Sequence, residues 1–165
     1  MPTSSSIRAA RLEDAAKICS IYNNYILTTC ISFEEAAVSE EEMRRRIEEV
    51  LSYAIWLVVE NELGVVGYAY ATHWRPRSAY RFSMESTVYL AAGVTGQGLG
   101  SQLYKRLIEQ VRERGVHSLV GGIALPNAAS VKLHEKLGFK KVAQFEQIGW
   151  KFDRWIDVGY WQLRF

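Results

Sequence analysis

The feature that most constrains the fold is a β-rich run followed by a glycine-rich turn and a long amphipathic segment. Residues 82–90 alternate between two faces, as in a strand. The turn Gly96-Gln97-Gly98-Leu99-Gly100 follows, and Leu103, Leu107 and Val111 then recur at the four-residue spacing of a helix. A helix N-terminus offers unpaired N–H groups and partial positive charge, and glycines let a diphosphate approach them. The pattern predicts an anion-binding turn, with an ordinary turn as the alternative.

This turn does not match two common nucleotide-binding motifs. The Gly-x-Gly-x-x-Gly dinucleotide fingerprint would require a glycine where Ser101 stands. The P-loop would require its phosphate-binding lysine where Leu99 stands. Neither a Rossmann nor a P-loop domain is therefore expected.

The remaining pattern predicts one α/β domain over residues 1–165, with a flexible N-terminus at 1–6. Apolar positions in residues 15–26 recur at helical spacing, and Ser39 with Glu42 forms a Ser-x-x-Glu capping box at the start of a second helix. The expected order is β-α-α-β-β-β-α-β-α-β-β. The strand candidates are residues 7–10, 54–59, 65–70, 82–90, 118–124, 141–148 and 155–163, and the last helix candidate is 127–137.

Composition and charge exclude several classes of partner. Hydrophobic residues make up 48% of the chain and charged residues 23%, which is typical of a packed globular domain. A net charge of +2 is too small for a nucleic-acid-binding surface. The longest uncharged apolar stretch, residues 63–72, is far shorter than the ~18 residues of a membrane span. Cys19 and Cys30 lack zinc-site spacing, so we expect reduced thiols, no metal and a cytoplasmic protein.

A second motif follows in residues 127–139, Asn-Ala-Ala-Ser-Val-Lys-Leu-His-Glu-Lys-Leu-Gly-Phe. Asn127 is a suitable helix N-cap, and Ser130 and His134 share its helix face. Together with the glycine turn, this motif resembles the Gcn5-related N-acetyltransferase (GNAT) superfamily. The superfamily pattern is a strand, a phosphate turn Gln/Arg-x-x-Gly-x-Gly/Ala, a helix, a strand, and Asn-x-x-Ser/Ala-x-x-Leu/Phe-Tyr or His before Gly-Phe. The resemblance spans the whole chain.

Within that superfamily, three long stretches resemble the phosphinothricin and methionine sulfoximine N-acetyltransferase group, namely residues 73–81, 85–90 and 149–158. The likeness implies a GNAT-like fold, with a mixed, mostly antiparallel, splayed sheet flanked by helices. It implies transfer of acetyl from acetyl-CoA to the α-amine of a small amino-acid analogue such as phosphinothricin, methionine sulfoximine or methionine sulfone. It also implies a homodimer with substrate sites near the subunit interface.

One position departs from the superfamily pattern. The first residue of the phosphate turn, usually Gln or Arg, is Thr95 in this chain. A side-chain contact to the diphosphate is therefore shortened or lost, while the backbone contacts are retained.

The resemblance assigns catalytic roles to Glu85 and His134. An ammonium group must lose a proton before it can attack a thioester, and Glu85 matches the family's catalytic glutamate. Nearby Phe82 and Met84 would raise its pKa. His134 would protonate the departing thiolate or relay the proton from the amine. The alternatives are a solvent-facing strand carboxylate and a histidine that only packs.

The resemblance also assigns the residues that bind the cofactor. The backbone of Val88, Tyr89 and Leu90 would pair with the pantetheine arm, and a backbone N–H there would stabilise the reaction's oxyanion. Asn127 would bond the same arm. The diphosphate would be held by Gly96, Gln97, Gly98, Leu99, Gly100 and Ser101.

The substrate candidates are Arg75, Pro76 and Arg77, because two guanidiniums on a proline-stiffened loop suit a carboxylate, phosphinyl or sulfonyl oxygen. Residues Glu85, Ser86 and Thr87 would hold the amine end. The alternative is a loop whose arginines are merely solvated. Two other functions stay open: an acetyltransferase for a peptide N-terminus or another amine, and a non-catalytic CoA-binding sensor.

Overall fold

The computed structural model describes residues 5–165. Residues 1–4, which make up most of the flexible segment expected at 1–6, lie outside the described residues. Ser6, the last residue of that expected segment, is the first residue of the first strand.

The order of helices and strands is the one expected from the sequence. The strands are β1 Ser6–Ala9, β2 Trp56–Asn61, β3 Gly64–His73, β4 Ser83–Leu90, β5 Ser118–Leu125, β6 Lys140–Lys151 and β7 Arg154–Arg164. The helices are α1 Ala15–Thr28, α2 Glu40–Tyr53, α3 Leu99–Glu113 and α4 Ala128–Lys136.

The seven strands form one sheet in the order β1-β2-β3-β4-β5-β7-β6. Every neighbouring pair is antiparallel except β4 and β5, which are parallel. These two strands pair only where Ser83–Glu85 faces Ser118–Val120. Because β4 continues to Leu90 and β5 to Leu125, the strands separate beyond Glu85 and open a split in the sheet. The expected mixed, splayed sheet flanked by helices is confirmed.

Successive side chains of β4 point to opposite faces of this sheet. Tyr89 packs against Tyr22 and Tyr25 of α1, at ring-centroid distances of 5.4 and 4.8 Å. Ser86, three residues earlier, instead bonds Tyr104 of α3 on the other face. Glu85 and Tyr89 are an even number of residues apart, so the Glu85 side chain lies on the α1 face. Side chains from both faces of the sheet therefore lie beside the split between β4 and β5.

The N-terminus of α2 differs in one detail from the expected capping box. The Ser39 hydroxyl accepts a hydrogen bond from the Glu42 N–H at 3.1 Å, as expected. The Glu42 carboxylate does not return to Ser39, because it binds the guanidiniums of Arg45 and Arg46 at 2.8 to 2.9 Å. Ion pairs to arginine therefore replace half of the predicted box.

Across residues 5–165, no helix is both long and apolar enough to cross a membrane. The same residues contain no group of three or more His, Cys, Asp or Glu side chains placed to hold a metal ion. Cys19 and Cys30 are both free thiols.

Candidate active site

The glycine turn presents backbone N–H groups at the start of α3. Gly96 and Gly98 have φ angles of +81° and +79°, in the left-handed region that favours glycine. Gly98 is the N-cap, and its carbonyl accepts the first helical bond from the Gln102 N–H at 3.1 Å. The amides of residues 99–101 belong to the first turn and have no partner within the helix. Unpaired amides at a glycine turn are the geometry on which the predicted anion binding depends.

Close packing fixes this turn beside the split. A Cβ at Gly100 would lie 3.2 Å from Leu90 Cδ1, so glycine lets α3 approach the C-terminal end of β4. Thr95 and Gln97 are exposed in the same turn. The Leu90 carbonyl accepts a hydrogen bond from the Tyr25 hydroxyl at 2.6 Å, which holds the end of β4 against α1.

A cleft of about 90 Å³ lies in the split and brings many of the predicted residues together. Its walls come from β4, β5 and α4, with one residue from the loop after α1. The lining residues are Ile31, Glu85, Ser86, Thr87, Val88, Tyr89, Gly122, Ile123, Ala124, Asn127, Ser130 and His134. The two catalytic candidates therefore border one cleft, from opposite faces of the sheet.

Glu85 enters this cleft as an unpaired carboxylate. Among residues 5–165, no side chain or amide donates a hydrogen bond to it. Burial raises the pKa of Glu85, and the nearby positive charge of Arg75 opposes that rise. A carboxylate with a raised pKa and no partner is suited to accept a proton.

His134 is 4% exposed and has a partner at each ring nitrogen. Its Nδ1 donates to the Ser130 carbonyl at 2.7 Å, and its Nε2 lies 3.0 Å from the Tyr104 hydroxyl. Burial lowers the pKa of His134, so the ring is neutral at pH 7, with its proton assigned to Nδ1 from these bonds. Tyr104 therefore donates to Nε2.

Tyr104 connects His134 to β4, which the sequence did not suggest. Its hydroxyl lies 2.6 Å from the Ser86 hydroxyl and is fully buried. The result is a chain from Ser86 through Tyr104 to His134. Ser86, expected to hold the amine end beside Glu85 and Thr87, instead turns its side chain to the opposite face of the sheet.

Two adjacent glycines of β5 give the catalytic candidates room. A Cβ at Gly121 would lie 2.5 Å from His134 Nε2. A Cβ at Gly122 would lie 3.5 Å from Glu85 Oε1 and 3.2 Å from Tyr160 Cε1. Gly121 thus faces the histidine and Gly122 faces the carboxylate.

Asn127 caps α4 and also lines the cleft. Its side-chain oxygen accepts a hydrogen bond from the Ser130 N–H at 3.1 Å, which is the capping role expected from the sequence. The side-chain amide N–H₂ group is not used in this bond.

The predicted substrate loop lies on the Glu85 face and is exposed. The Arg75 guanidinium lies 4.1 Å from the Trp74 ring centroid. Arg75 lines a second cavity, of about 390 Å³, which extends over Ser118 and Val120 of β5. Pro76 and Arg77 are exposed and line neither this cavity nor the cleft.

Comparison with known proteins agrees with this geometry. A family described as an acetyltransferase (GNAT) domain matches residues 7–159. A phosphinothricin N-acetyltransferase of Streptomyces viridochromogenes is 40% identical over 159 residues, covering 96% of this chain and 87% of that protein. An L-methionine sulfoximine/L-methionine sulfone acetyltransferase of Salmonella typhimurium is 38% identical over 161 residues, covering 96% and 94%.

A solved structure adds the cofactor in a relative. The phosphinothricin acetyltransferase of Sinorhizobium meliloti, in complex with acetyl-CoA, superposes with a TM-score of 0.94 and is 31% identical. The superposition covers 97% of this chain and 88% of that one. The expected fold and the expected N-acetyltransferase activity class are confirmed by these likenesses. This chain belongs to the GNAT acetyltransferase family.

Proposed function

We propose that this protein transfers acetyl from acetyl-CoA to the α-amine of a small amino-acid analogue. The observation that carries the proposal is the cleft in the β4–β5 split, which holds the unpaired carboxylate of Glu85 and extends along β4 to Tyr89. The next residue, Leu90, packs against Gly100 at the start of α3. The relatives named for phosphinothricin and for methionine sulfoximine or sulfone support this class of acceptor.

The residues around the split fit acetyl-CoA. Beyond Glu85, β4 has no strand partner on its β5 side, so those backbone groups of residues 88–90 that face the split can pair with an extended arm. The Leu90 carbonyl is an exception, because it already accepts the Tyr25 hydroxyl. Asn127 lies across the cleft from that strand segment. The amides of residues 96–101 would hold the diphosphate, as at other helix N-termini. When bound, acetyl-CoA supplies a thioester as the acetyl donor.

Glu85 removes the proton from the acceptor's ammonium group. The carboxylate borders the cleft without a hydrogen-bond partner, and its raised pKa makes it a stronger base than an exposed glutamate. Arg75, close enough to oppose that rise, holds the acceptor's carboxylate, and Arg77 extends the same positive loop.

His134 relays a proton on the other side of the split. Ser86 can donate to Tyr104, which donates to His134 Nε2, so the chain conducts a proton from the cleft towards the ring. Because burial lowers its pKa, a protonated His134 readily returns that proton towards the departing thiolate.

A thiol-release assay with acetyl-CoA and a panel of amino acids, sulfones and phosphinates tests the activity. In Glu85→Gln, we expect kcat to fall about 10²- to 10⁴-fold, the usual contribution of a general base. The KM for acetyl-CoA should stay unchanged, because Glu85 is not among the residues that hold the cofactor. An unchanged rate at saturating acceptor would remove Glu85 from the chemistry.

The proposal includes a cytoplasmic homodimer. β6 is an edge strand of the sheet and carries exposed apolar side chains, including Phe145, Ile148 and Trp150, with Trp155 beside them on β7. An apolar strip at a sheet edge favours pairing with a second copy. Light scattering coupled to gel filtration measures the mass, and Ile148→Lys should shift a dimer towards monomer. A wild-type mass of one chain would refute the dimer.

A further inference from the structure

A third cavity continues the cleft along β5. It has a volume of about 240 Å³ and lies between the loop after α1, the end of β5 and the start of β7. Its lining residues are Thr29, Cys30, Ile31, Ala124, Leu125, Pro126 and Arg154. Ile31 and Ala124 also line the cleft, so the two spaces are neighbours.

This cavity is on the same face of the sheet as Glu85. Gly122 faces the Glu85 carboxylate, and Ala124 lies two residues further along β5, so its side chain points to the same face. Two residues of extended strand advance by about 7 Å. The Arg75 cavity lies in the opposite direction, over Ser118 and Val120. The two arginines therefore lie on either side of Glu85 along β5.

Arg154 supplies the only charged group of this cavity among the described residues. No carboxylate of residues 5–165 lies within ion-pair distance of its guanidinium. Its Nη2 donates to the Cys30 thiol at 3.1 Å, which directs the side chain towards the loop after α1. The residue begins β7 after a tight turn, in which Phe152 and Asp153 have φ angles of 52° and 56°. Its remaining donors are available to an anionic ligand.

We propose that this third cavity is the side-chain subsite of the acceptor, and that Arg154 binds a pair of oxygen atoms at the end of that side chain. The proposal rests on the function proposed above, in which Glu85 receives the amine and Arg75 the α-carboxylate. An α-amino acid held in this way directs its side chain along β5 towards Ala124. The guanidinium then selects phosphinate, sulfone or carboxylate ends over alkyl ends, because its forked N–H groups match two oxygens.

The test compares acceptors of similar length and different end groups. Phosphinothricin, methionine sulfone and norleucine are assayed with the wild type and with Arg154→Gln, measuring kcat/KM and acetyl-CoA KM. Losing a charge-assisted hydrogen bond should lower kcat/KM for phosphinothricin about 10- to 100-fold. The kcat/KM for norleucine should change less than about twofold, because its alkyl side chain offers no oxygen to Arg154. The KM for acetyl-CoA should stay unchanged.

Two controls separate the subsite from other effects. Arg164→Gln removes an exposed arginine from the far end of the same strand and should leave all three acceptors unchanged. Arg154→Lys keeps the charge without the fork and should restore only part of the phosphinothricin rate. Calorimetric binding of phosphinothricin to Arg154→Gln gives a second readout, in which affinity should fall in parallel.

Equal losses for norleucine and phosphinothricin in Arg154→Gln, or no loss for either, would overturn the subsite while leaving the acetyltransferase function intact. A wild type that acetylates none of the three acceptors would overturn the proposed function itself, and the subsite with it.

Discussion

Replacing Gly121 and Gly122 by alanine, one at a time, should damage two different properties of the protein. The two glycines are adjacent on β5 and face opposite sides of the sheet. A Cβ at Gly121 would lie 2.5 Å from His134 Nε2 and 2.7 Å from its Cδ2. Such a contact is too close to keep, so the buried ring must move and its bond to Tyr104 must break.

The expected loss of stability in Gly121→Ala follows from the displaced histidine ring and the broken hydrogen bond. Overpacking a buried site costs about 1–3 kcal/mol, and an unsatisfied buried hydrogen-bonding group about 1–3 kcal/mol more. A domain of this size loses about 2–4 °C in Tm for each kcal/mol. Gly121→Ala should therefore unfold about 4–24 °C below the wild type by differential scanning calorimetry.

Gly122→Ala is the matched control for stability. Its Cβ would lie 3.2 Å from Tyr160 and 3.5 Å from the Glu85 carboxylate, so small adjustments suffice. Its Tm should stay within about 2 °C, because a strand alanine regains some backbone entropy. Its kcat/KM for the acceptor should fall about 10- to 100-fold, because the methyl group occupies space beside the base. Equal melting of the two variants, or full activity of Gly122→Ala, would refute the assignment of these faces.

Three further predictions test other parts of the site. Arg75→Gln removes the cation that opposes the raised pKa of Glu85, so this pKa should rise further. The acidic limb of the kcat/KM profile should then move to higher pH, and an unchanged limb would contradict an interaction between Arg75 and Glu85. Thr95→Arg should lower the Kd for CoA in a calorimetric titration about 3- to 10-fold by adding a charged contact to the diphosphate, and no tightening would show that the backbone suffices. Lys151 is 2% exposed and donates to the carbonyls of Ile26 and Ser32 at 2.7 Å each. Lys151→Met leaves both carbonyls without this donor and should lower Tm by about 2–12 °C. A Tm equal to that of the wild type would mean that these bonds do not stabilise the fold.

Much of the fold could be predicted because its signals are local. Leu103, Leu107 and Val111, spaced by four, are all buried on α3. The φ angles of Gly96 and Gly98 bear out the reason for placing glycines in a turn before a helix. The Glu42 side chain was mispredicted because its arginine partners outcompete a backbone N–H, a competition that the Ser-x-x-Glu pattern does not encode.

The parts of the site that the sequence missed depend on contacts between distant segments. Tyr104 follows a core leucine and has no motif of its own, yet the fold places its hydroxyl between Ser86 and His134. The prediction that Ser86 holds the acceptor's amine together with Glu85 and Thr87 overlooks strand alternation, which puts the Ser86 side chain on the other face. Arg154 and Cys30 are 124 residues apart in the sequence, so their contact beside the third cavity is visible only in the folded chain.

The short parallel pairing of β4 with β5 has a dynamic consequence. The half-sheet β5–β7 is joined to β1–β4 by backbone pairing at only three positions. Beyond Val120, those amide protons of β5 that face the split and not β7 should therefore exchange with deuterium faster than the amide protons of β3. A ligand that bridges the split should slow their exchange selectively. Occupancy of the site could then be followed by mass spectrometry in the absence of any turnover.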